Sequence, residues 1–530
     1  MGSYLNPGNE KFAQCVNSEI YVDKTGLIKY CSRVMNSLQK YICMSRPRRF
    51  GKSVSADMLS AYYSRGCDSS ELFAGLEIAE DGKHTENINQ FNVLFLNMQE
   101  FLSRTDSMEK MLDLLKKRVS RELVREYPQV DYFDREDLLG CIQDVYDETK
   151  IQFIIIIDEW DCIFREYRSE TEAQKMYLDF LRDMLKDKGY IALCYMTGIL
   201  PIKKYGTHSA LNMFDEFSMT YQGALAQYVG FTEEEVRGLC ERYGMDFEET
   251  KKWYDGYHLE GVGSVYNPRS VVSAMRFGKF QFYWNQTETF EALRSYIDMN
   301  FEGLKDAVLK MMDGKNGVPV DVRSFTNDMV TFRSKDDVLT LLVHLGYLGY
   351  RSDLEEVFIP NEEILNEYVT SISNSDWGEV SRALKHSREA LAAVWNRDEA
   401  AVAKAVEQAH FETSYLQYND ENALSYTISL ALYVARNYYT VIKELPAGKG
   451  RADIVYLPRK QHTDKPALLV ELKWNQAAES AIAQIRDKCY PKALEDYRGN
   501  LLLVGVSYDG KTKEHFCRIE QYCKESGKKV

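Results

Sequence analysis

Near the C-terminal end, Arg451-Ala452-Asp453-Ile454-Val455-Tyr456 is followed by Leu468-Leu469-Val470-Glu471-Leu472-Lys473. Each acid lies in or beside a short apolar run of strand type. Hydrolysis of a phosphodiester needs acids that hold Mg²⁺ opposite the scissile phosphate, together with a base or cation that prepares water. Asp453 and Glu471 meet the first need. Residues two apart in a strand share a face, so Glu471 and Lys473 project into one site while Leu472 turns to the core. Lys473 can then orient the water or stabilise the charge that develops on phosphorus. By itself an Asp…Glu-x-Lys triplet is short enough to arise by chance.

A second group suits nucleotide chemistry. Tyr41-Ile42-Cys43-Met44 reads as a strand that runs into Ser45-Arg46-Pro47-Arg48-Arg49-Phe50-Gly51-Lys52-Ser53 and then a helix. Backbone N–H groups at a helix start cradle phosphates, Lys52 neutralises the terminal phosphates and Ser53 binds magnesium. Arg46 stands where the usual pattern has its first glycine. The strand Ile154-Ile155-Ile156-Ile157-Asp158-Glu159 adds two acids, Asp158 for the magnesium shell and Glu159 to orient the attacking water. Strand context and chain order together agree with a P-loop NTPase. After the next strand, Thr197 is placed either to sense the γ-phosphate or simply to close a strand-end turn. Arg48 and Arg49 read equally as phosphate clamps or as a solvated basic loop.

The elements that must position these residues follow from periodicity. Strands are expected at Tyr41–Met44, Phe91–Met98, Gln152–Ile157 and Ile191–Met196, separated by amphipathic stretches such as Ser107–Glu126 and Thr171–Lys186. That alternation predicts an α/β domain with a mainly parallel sheet over 1–229. Thr232 followed by Glu235, with Phe231 before it, is a capping box with a hydrophobic staple and starts a helical unit over 230–410. Two turn-rich aromatic segments, Trp253–Tyr257 and Tyr266–Pro268, interrupt it. A helix over Asp337–Leu345 and a hairpin over Gly346–Ile359 make either a winged helix or a small packing module. In the last part, 411–530, one long helix is expected over Ser425–Tyr439. Strands follow at Ala452–Leu457, Ala467–Leu472 and Leu501–Val506, with a helix at Ala477–Tyr490.

Several of these segments resemble one family closely. Tyr21-Val22-Asp23-Lys24-Thr25, Arg46-Pro47-Arg48-Arg49-Phe50-Gly51-Lys52-Ser53, Asp158-Glu159, Thr197-Gly198-Ile199-Leu200-Pro201 and Tyr254-Asp255-Gly256-Tyr257 are similar to the prokaryotic AAA-ATPase-like proteins that carry a C-terminal PD-(D/E)XK nuclease domain. The likeness extends over nearly the whole chain. It implies that the Arg-Pro-Arg-Arg-Phe-Gly-Lys-Ser form is the family's ordinary P-loop, and that the ATPase core has the additional-strand (ASCE) arrangement. It also implies a restriction-endonuclease-like α/β fold at the C-terminus, in which a Gln on the helix after the Glu-x-Lys strand supports the active site. Gln484 matches that position. Tyr490 is read as core packing, and Glu421 either as the extra acid that many such folds place there or, in preference, as a surface helix-start acid.

Composition sets the bounds. The 530 residues suggest three or four domains, and 45% hydrophobic with 28% charged residues is the profile of a globular chain. The net charge of −14 argues against a chain that coats nucleic acid along its length. Residues 411–530, however, hold 18 Lys and Arg against 15 Asp and Glu, the one part whose balance suits a polyanionic substrate. Eleven scattered cysteines without a C-x-x-C pair indicate neither a disulfide framework nor a zinc site. No apolar run reaches membrane-spanning length and the N-terminus has no secretory pattern, so a cytoplasmic protein is expected.

The reading favoured by these features is an ATP-binding, Mg²⁺-dependent nuclease acting on nucleic acid, DNA first, with ATP regulating cleavage. Its cofactors are ATP and Mg²⁺; no membrane partner is expected and a homo-oligomer is left open. The alternative is a nucleotide switch whose nuclease fold binds nucleic acid or a partner without cutting. A sequence-reading DNA-binding protein ranks last, because Asp336–Leu345 is acidic and apolar.

Overall fold

The computed structural model describes residues 2–522 apart from 83, 203–210, 222, 260, 285–290, 300, 313–316, 328, 330, 374–377, 413–420, 448–449, 460–461 and 488–498. The chain forms two compact units, one from 1–288 with 317–365 and the other from 289–316 with 366–530.

In the first unit the aliphatic runs become a five-stranded parallel sheet. Its strands are β1 (Tyr41–Ser45), β2 (Asn92–Asn97), β3 (Phe153–Asp158), β4 (Ile191–Gly198) and β5 (Asp215–Phe217), in the order β2-β3-β4-β1-β5. β1, β3 and β4 are buried along their whole length. This is why they read as unbroken apolar runs instead of alternating ones. The P-loop strand β1 therefore lies between β4 and β5, and the acid-bearing β3 pairs with β4. The helices Met108–Glu126 and Thr171–Leu185 occupy the two amphipathic stretches, and Ser107 caps the first. β5 was not anticipated: Asp-Glu-Phe is too short and too polar to read as a strand.

The capping box is present with both reciprocal hydrogen bonds, Thr232 N to Glu235 Oε2 at 2.8 Å and Glu235 N to Thr232 Oγ1 at 3.4 Å. The staple residue Phe231 joins the same cluster as Val236, Trp253, Tyr254 and Tyr266. Around it β6 (Phe231–Thr232), β7 (Tyr257–Leu259) and β8 (Gly263–Tyr266) form a small antiparallel sheet in the order β6-β8-β7. The aromatic interruptions are thus helix ends and strands: Trp253 and Tyr254 close the helix Phe247–Tyr254, and Tyr266 ends β8. Asn267 then caps the helix Pro268–Phe277, with proline at its first turn. The helix Lys335–Leu345 precedes β10 (Gly349–Arg351) and β11 (Glu356–Phe358), a hairpin completed on one side by β9 (Val318–Pro319).

The second unit contains a mixed sheet of β12 (Tyr439–Ala447), β13 (Gly450–Pro458), β14 (Ala467–Trp474), β15 (Leu501–Asp509) and β16 (Glu514–Tyr522), in chain order. All neighbours are antiparallel except β14 and β15. The long helix expected over Ser425–Tyr439 is corrected here. The α-helix runs Glu421–Ala431, a 3₁₀ turn takes Tyr433–Asn437, and Tyr439 already begins β12. The aromatic and β-branched run Tyr438-Tyr439-Thr440-Val441-Ile442 favours a pleated, half-buried strand over a helix. The helix after β14 runs Ala478–Asp487; Tyr490 lies outside the described residues.

Candidate active sites

The first site is built where β1 turns into the helix Lys52–Tyr63. Gly51 is the helix N-cap at φ 94°, and Arg49 is also left-handed at φ 67°. Arg46 is not, so the position that usually demands glycine carries no backbone strain, and its side chain is free to run inward. It is fully buried, donating from Nη1 to the carbonyls of Ser45 (3.0 Å) and Phe217 (3.2 Å). Burial pushes this guanidinium down to about 10.

Lys52 is buried at the helix start, with Nζ donating to the carbonyls of Arg46 and Pro47, each at 3.0 Å. Burial lowers its pKa, while Glu159, Asp161 and Asp158 act in the opposite sense. The exposed hydroxyl of Ser53 donates to Asp158 Oδ2 at 2.8 Å. Thr197 donates to Asp158 Oδ1, and Asn97, opposite Asp158 in the β2–β3 register, reaches Oδ2 at 3.4 Å. Asp158, Ser53, Thr197 and Asn97 are therefore one connected group at the carboxyl ends of three strands and a helix start.

Glu159, left-handed at φ 56°, pairs with Arg165. Arg165 also lies 3.4 Å from the fully buried Asp161, which accepts the backbone N–H groups of Ile199 (3.1 Å) and Leu200 (2.9 Å). A cavity of about 1190 Å³ opens over the loop, lined among others by Arg48, Arg49, Gly51, Lys52, Ser53 and Glu159. That exceeds the roughly 300–1,000 Å³ of a typical small-molecule site. Asn97, Asp161 and Arg165 escape sequence reasoning. Their signal is faint, being a polar residue ending one strand and charges one turn past another.

The second site lies on β13, β14 and the helix Ala478–Asp487. The β13–β14 ladder ends where Ile454 pairs with Val470, so Asp453 and Glu471 are the next residue on each strand beyond it. There the carboxylate takes over the ladder's role: Asp453 Oδ2 accepts the backbone N–H of Leu472 at 2.7 Å. Glu471 is almost wholly buried; its Oε1 lies 3.4 Å from Lys473 Nζ and accepts from the Gln484 amide. Lys473 is buried too, and Leu472 packs inward. Glu471, Lys473 and Gln484 thus touch, and Asp453 binds the backbone between the first two. The side chains of Glu421 and Arg451, and residues Gly448 and Lys449, lie outside the described residues.

Among the described residues, no group of three or more His, Cys, Asp and Glu gathers as a metal cage. Each site instead offers oxygen donors in small number: Ser53 and Asp158 in one, Asp453 and Glu471 in the other. This hard-donor set fits Mg²⁺, which keeps several waters and takes one or two carboxylates.

A family model described as "Predicted AAA-ATPase" matches residues 8–207, and one described as "PD-(D/E)XK nuclease superfamily" matches residues 421–516. The N-terminal part of the chain thus matches an ATPase-like family model and the C-terminal part a nuclease-superfamily model. The ATPase-like match contains Lys52, Asp158 and Thr197; the nuclease-like match contains Asp453, Glu471, Lys473 and Gln484. A curated relative, "Uncharacterized protein in vnfD 5'region" of Azotobacter chroococcum mcd 1, is 25% identical over 275 residues, 51% of this chain and 51% of its own. The chain thus spans about half the length of the curated relative it matches. Among solved structures, the Aeropyrum pernix ORC2 protein in ADPNP–ADP complexes is 11% identical over 67% of this chain and 96% of its own, with TM-score 0.31. The Aeropyrum pernix ORC1 protein in complex with DNA is 9% identical, covering 71% and 98%, with TM-score 0.24. At such TM-scores neither bears on the sites. Among the described residues no helix is long and apolar enough to cross a membrane.

Proposed function

We propose that the chain is an ATP-binding, Mg²⁺-dependent nuclease that cleaves phosphodiester bonds in nucleic acid, DNA first, with nucleotide binding or hydrolysis at the ATPase-like domain regulating the cut. The observation that carries the reading is the meeting of Glu471, Lys473 and Gln484 on one strand pair and its neighbouring helix, with Asp453 bound beside them. The functional divisions follow 1–229, 230–410 and 411–530, and the two family matches fall inside the outer ones.

Asp453 and Glu471 would hold Mg²⁺ at the nuclease-like site, and a bound ion there supplies Lewis-acid polarisation of the phosphate. Gln484 orients the Glu471 carboxylate through its amide. Lys473 has two tasks open to it: positioning the attacking water and neutralising charge that builds on the phosphoryl oxygens. At the nucleotide site Ser53 and Asp158 would hold the Mg²⁺ of an ATP complex, with Gly51 and the helix N-terminus facing the phosphates. Lys52 and Arg48 supply positive charge, Thr197 fixes Asp158, and Glu159 orients water once it leaves Arg165. The cytoplasm is the compartment this reading assigns, with the cysteines as reduced thiols.

The test is a cleavage assay with purified protein on single- and double-stranded DNA and RNA, with and without ATP and Mg²⁺. Mg²⁺-dependent cutting that K52A alters and D453A abolishes is expected. Binding without cutting under every condition would make the chain a nucleotide switch, and unaltered cutting by K52A would remove the regulatory half of the reading.

A further inference from the structure

The P-loop of this chain spends its unusual side chains on residues far along the sequence. Arg46 reaches Phe217. Phe50 sets its ring edge-on to Tyr257 at 5.1 Å. The Arg48 carbonyl accepts from Asn267 at 3.3 Å. Pro47 packs beside Gly346 and Trp284 so tightly that a Cβ on Gly346 would come within 2.7 Å of the proline and 2.9 Å of the indole.

The most specific of these contacts belongs to Arg49. Held in a left-handed turn, it donates from Nη1 to the carbonyls of Tyr283 (3.0 Å) and Trp284. The same two residues are gripped from their other side. Glu363 accepts the backbone N–H of Tyr283 at 2.5 Å and of Trp284 at 2.7 Å, and is itself fixed by the Ser270 hydroxyl at 2.7 Å. Glu363 is 2% exposed, so this carboxylate serves the turn and not solvent. A guanidinium on two carbonyls and a carboxylate on two amides make a directional clamp that a neutral side chain does not reproduce, and the Nη1 that carries it stands one bond farther out than a lysine Nζ would.

The clamp's location gives it meaning. Tyr283 and Trp284 stand just ahead of the point at 288–289 where the chain leaves the first unit. Glu363 opens the helix Glu362–Ser373, within which the chain leaves it again at 365–366. Two residues from Gly51, Arg49 thus ties the phosphate-binding turn to both exits.

We propose that Arg49 and Glu363 form a relay: Arg49 is a positioning residue, not a phosphate ligand, and the clamped turn at Tyr283–Trp284 carries nucleotide occupancy of the loop to the segments that lead into the second unit. The inference rests on the reading that this loop binds ATP. A rearrangement of the loop around phosphates moves the Arg49 backbone, and the turn must follow or lose its carbonyl partners. Such a coupling needs an element that both sites bias, and the turn is that element.

The experiment uses the full chain. ATP affinity is measured by titration, and backbone hydrogen exchange is followed in peptides covering 46–53 and 278–284, for the wild type, R49A, R49K, E363Q and K52A. The wild type is expected to bind ATP and to change exchange in both peptides. R49A and E363Q are expected to hold the dissociation constant within about threefold of wild type while losing the change at 278–284. R49K, which keeps the charge but not the reach of Nη1, serves if R49A does not fold and should lose the same response. A tenfold or larger loss of ATP affinity in R49A with none in E363Q would make Arg49 a phosphate ligand and overturn the relay. So would a wild-type exchange response at 278–284 in R49K and E363Q. A wild type that binds no ATP fails the underlying reading instead, a result distinguishable from the other two.

Discussion

Replacing Gly505 with alanine should damage the nuclease-like site without touching any of its chemical groups. Gly505 lies on β15 opposite Glu471 of β14 and under the helix Ala478–Asp487. A Cβ there would sit 2.6 Å from the Ala478 carbonyl oxygen, 3.0 Å from Ala481 Cβ and 3.3 Å from Ile482 Cγ1. The nearest atom is backbone, so no side-chain rotation relieves the clash. The helix must lift by about 0.8 Å to restore ordinary contact. Overpacking of this kind costs roughly 1–3 kcal/mol. Gln484 is on that helix, and its amide holds the Glu471 carboxylate. A displacement approaching 1 Å at such a group costs about 10- to 100-fold in rate. The assay pairs chemical denaturation of the variant with its initial cleavage rate at saturating Mg²⁺. A G505A protein with wild-type stability and wild-type rate would refute the claim that this glycine sets the height of the Gln484 helix.

Three further outcomes follow from the same contacts. R165A leaves the buried Asp161 without its cation, and breaking a buried pair of this kind costs about 3 kcal/mol; a denaturation midpoint equal to wild type would remove Arg165 from the support of the site. G346A forces a left-handed alanine at φ 87° against Pro47 and Trp284 and should destabilise the first unit by about 2 kcal/mol or more, read by calorimetry, with no loss as the contrary result. The buried ring of His515 is pushed down to about 3 by burial and then by His410, which burial pushes to about 4. Both are neutral when folded, so the stability they permit is full above the unfolded value near 6.5 and drains as pH falls through it. For His515 alone the loss at pH 5 is about 2 kcal/mol. H515Q should flatten the pH dependence of melting between 7 and 5, and a slope identical to wild type would contradict the assignment.

What sequence reading captured depended on how each strand is buried. β1, β3 and β4 are covered on both faces and announce themselves as aliphatic runs, and the acids at Asp158 and Glu471 stand out because charge is rare in such company. The capping box at Thr232 is a local rule that tertiary structure did not override. The misses share a cause as well. β16 reads Glu-His-Phe-Cys-Arg-Ile-Glu-Gln-Tyr, an edge strand whose polar face hides its period, and β12 begins in an apolar stretch that fits a helix as well as a strand. The use of Arg46, Arg49 and Phe50 could not be read at all. Their partners Phe217, Tyr283, Trp284 and Tyr257 lie some 170 to 235 positions away, and no local pattern encodes a contact that only the packed fold creates.

The account stands most directly on the initial rate of Mg²⁺-dependent phosphodiester cleavage by the wild type and by E471Q, which keeps the size of the side chain and removes its charge. A wild type that cuts only with Mg²⁺, and a folded E471Q at least about 100-fold slower, is the predicted result. Equal rates for the two proteins, or cutting indifferent to the metal, would contradict it.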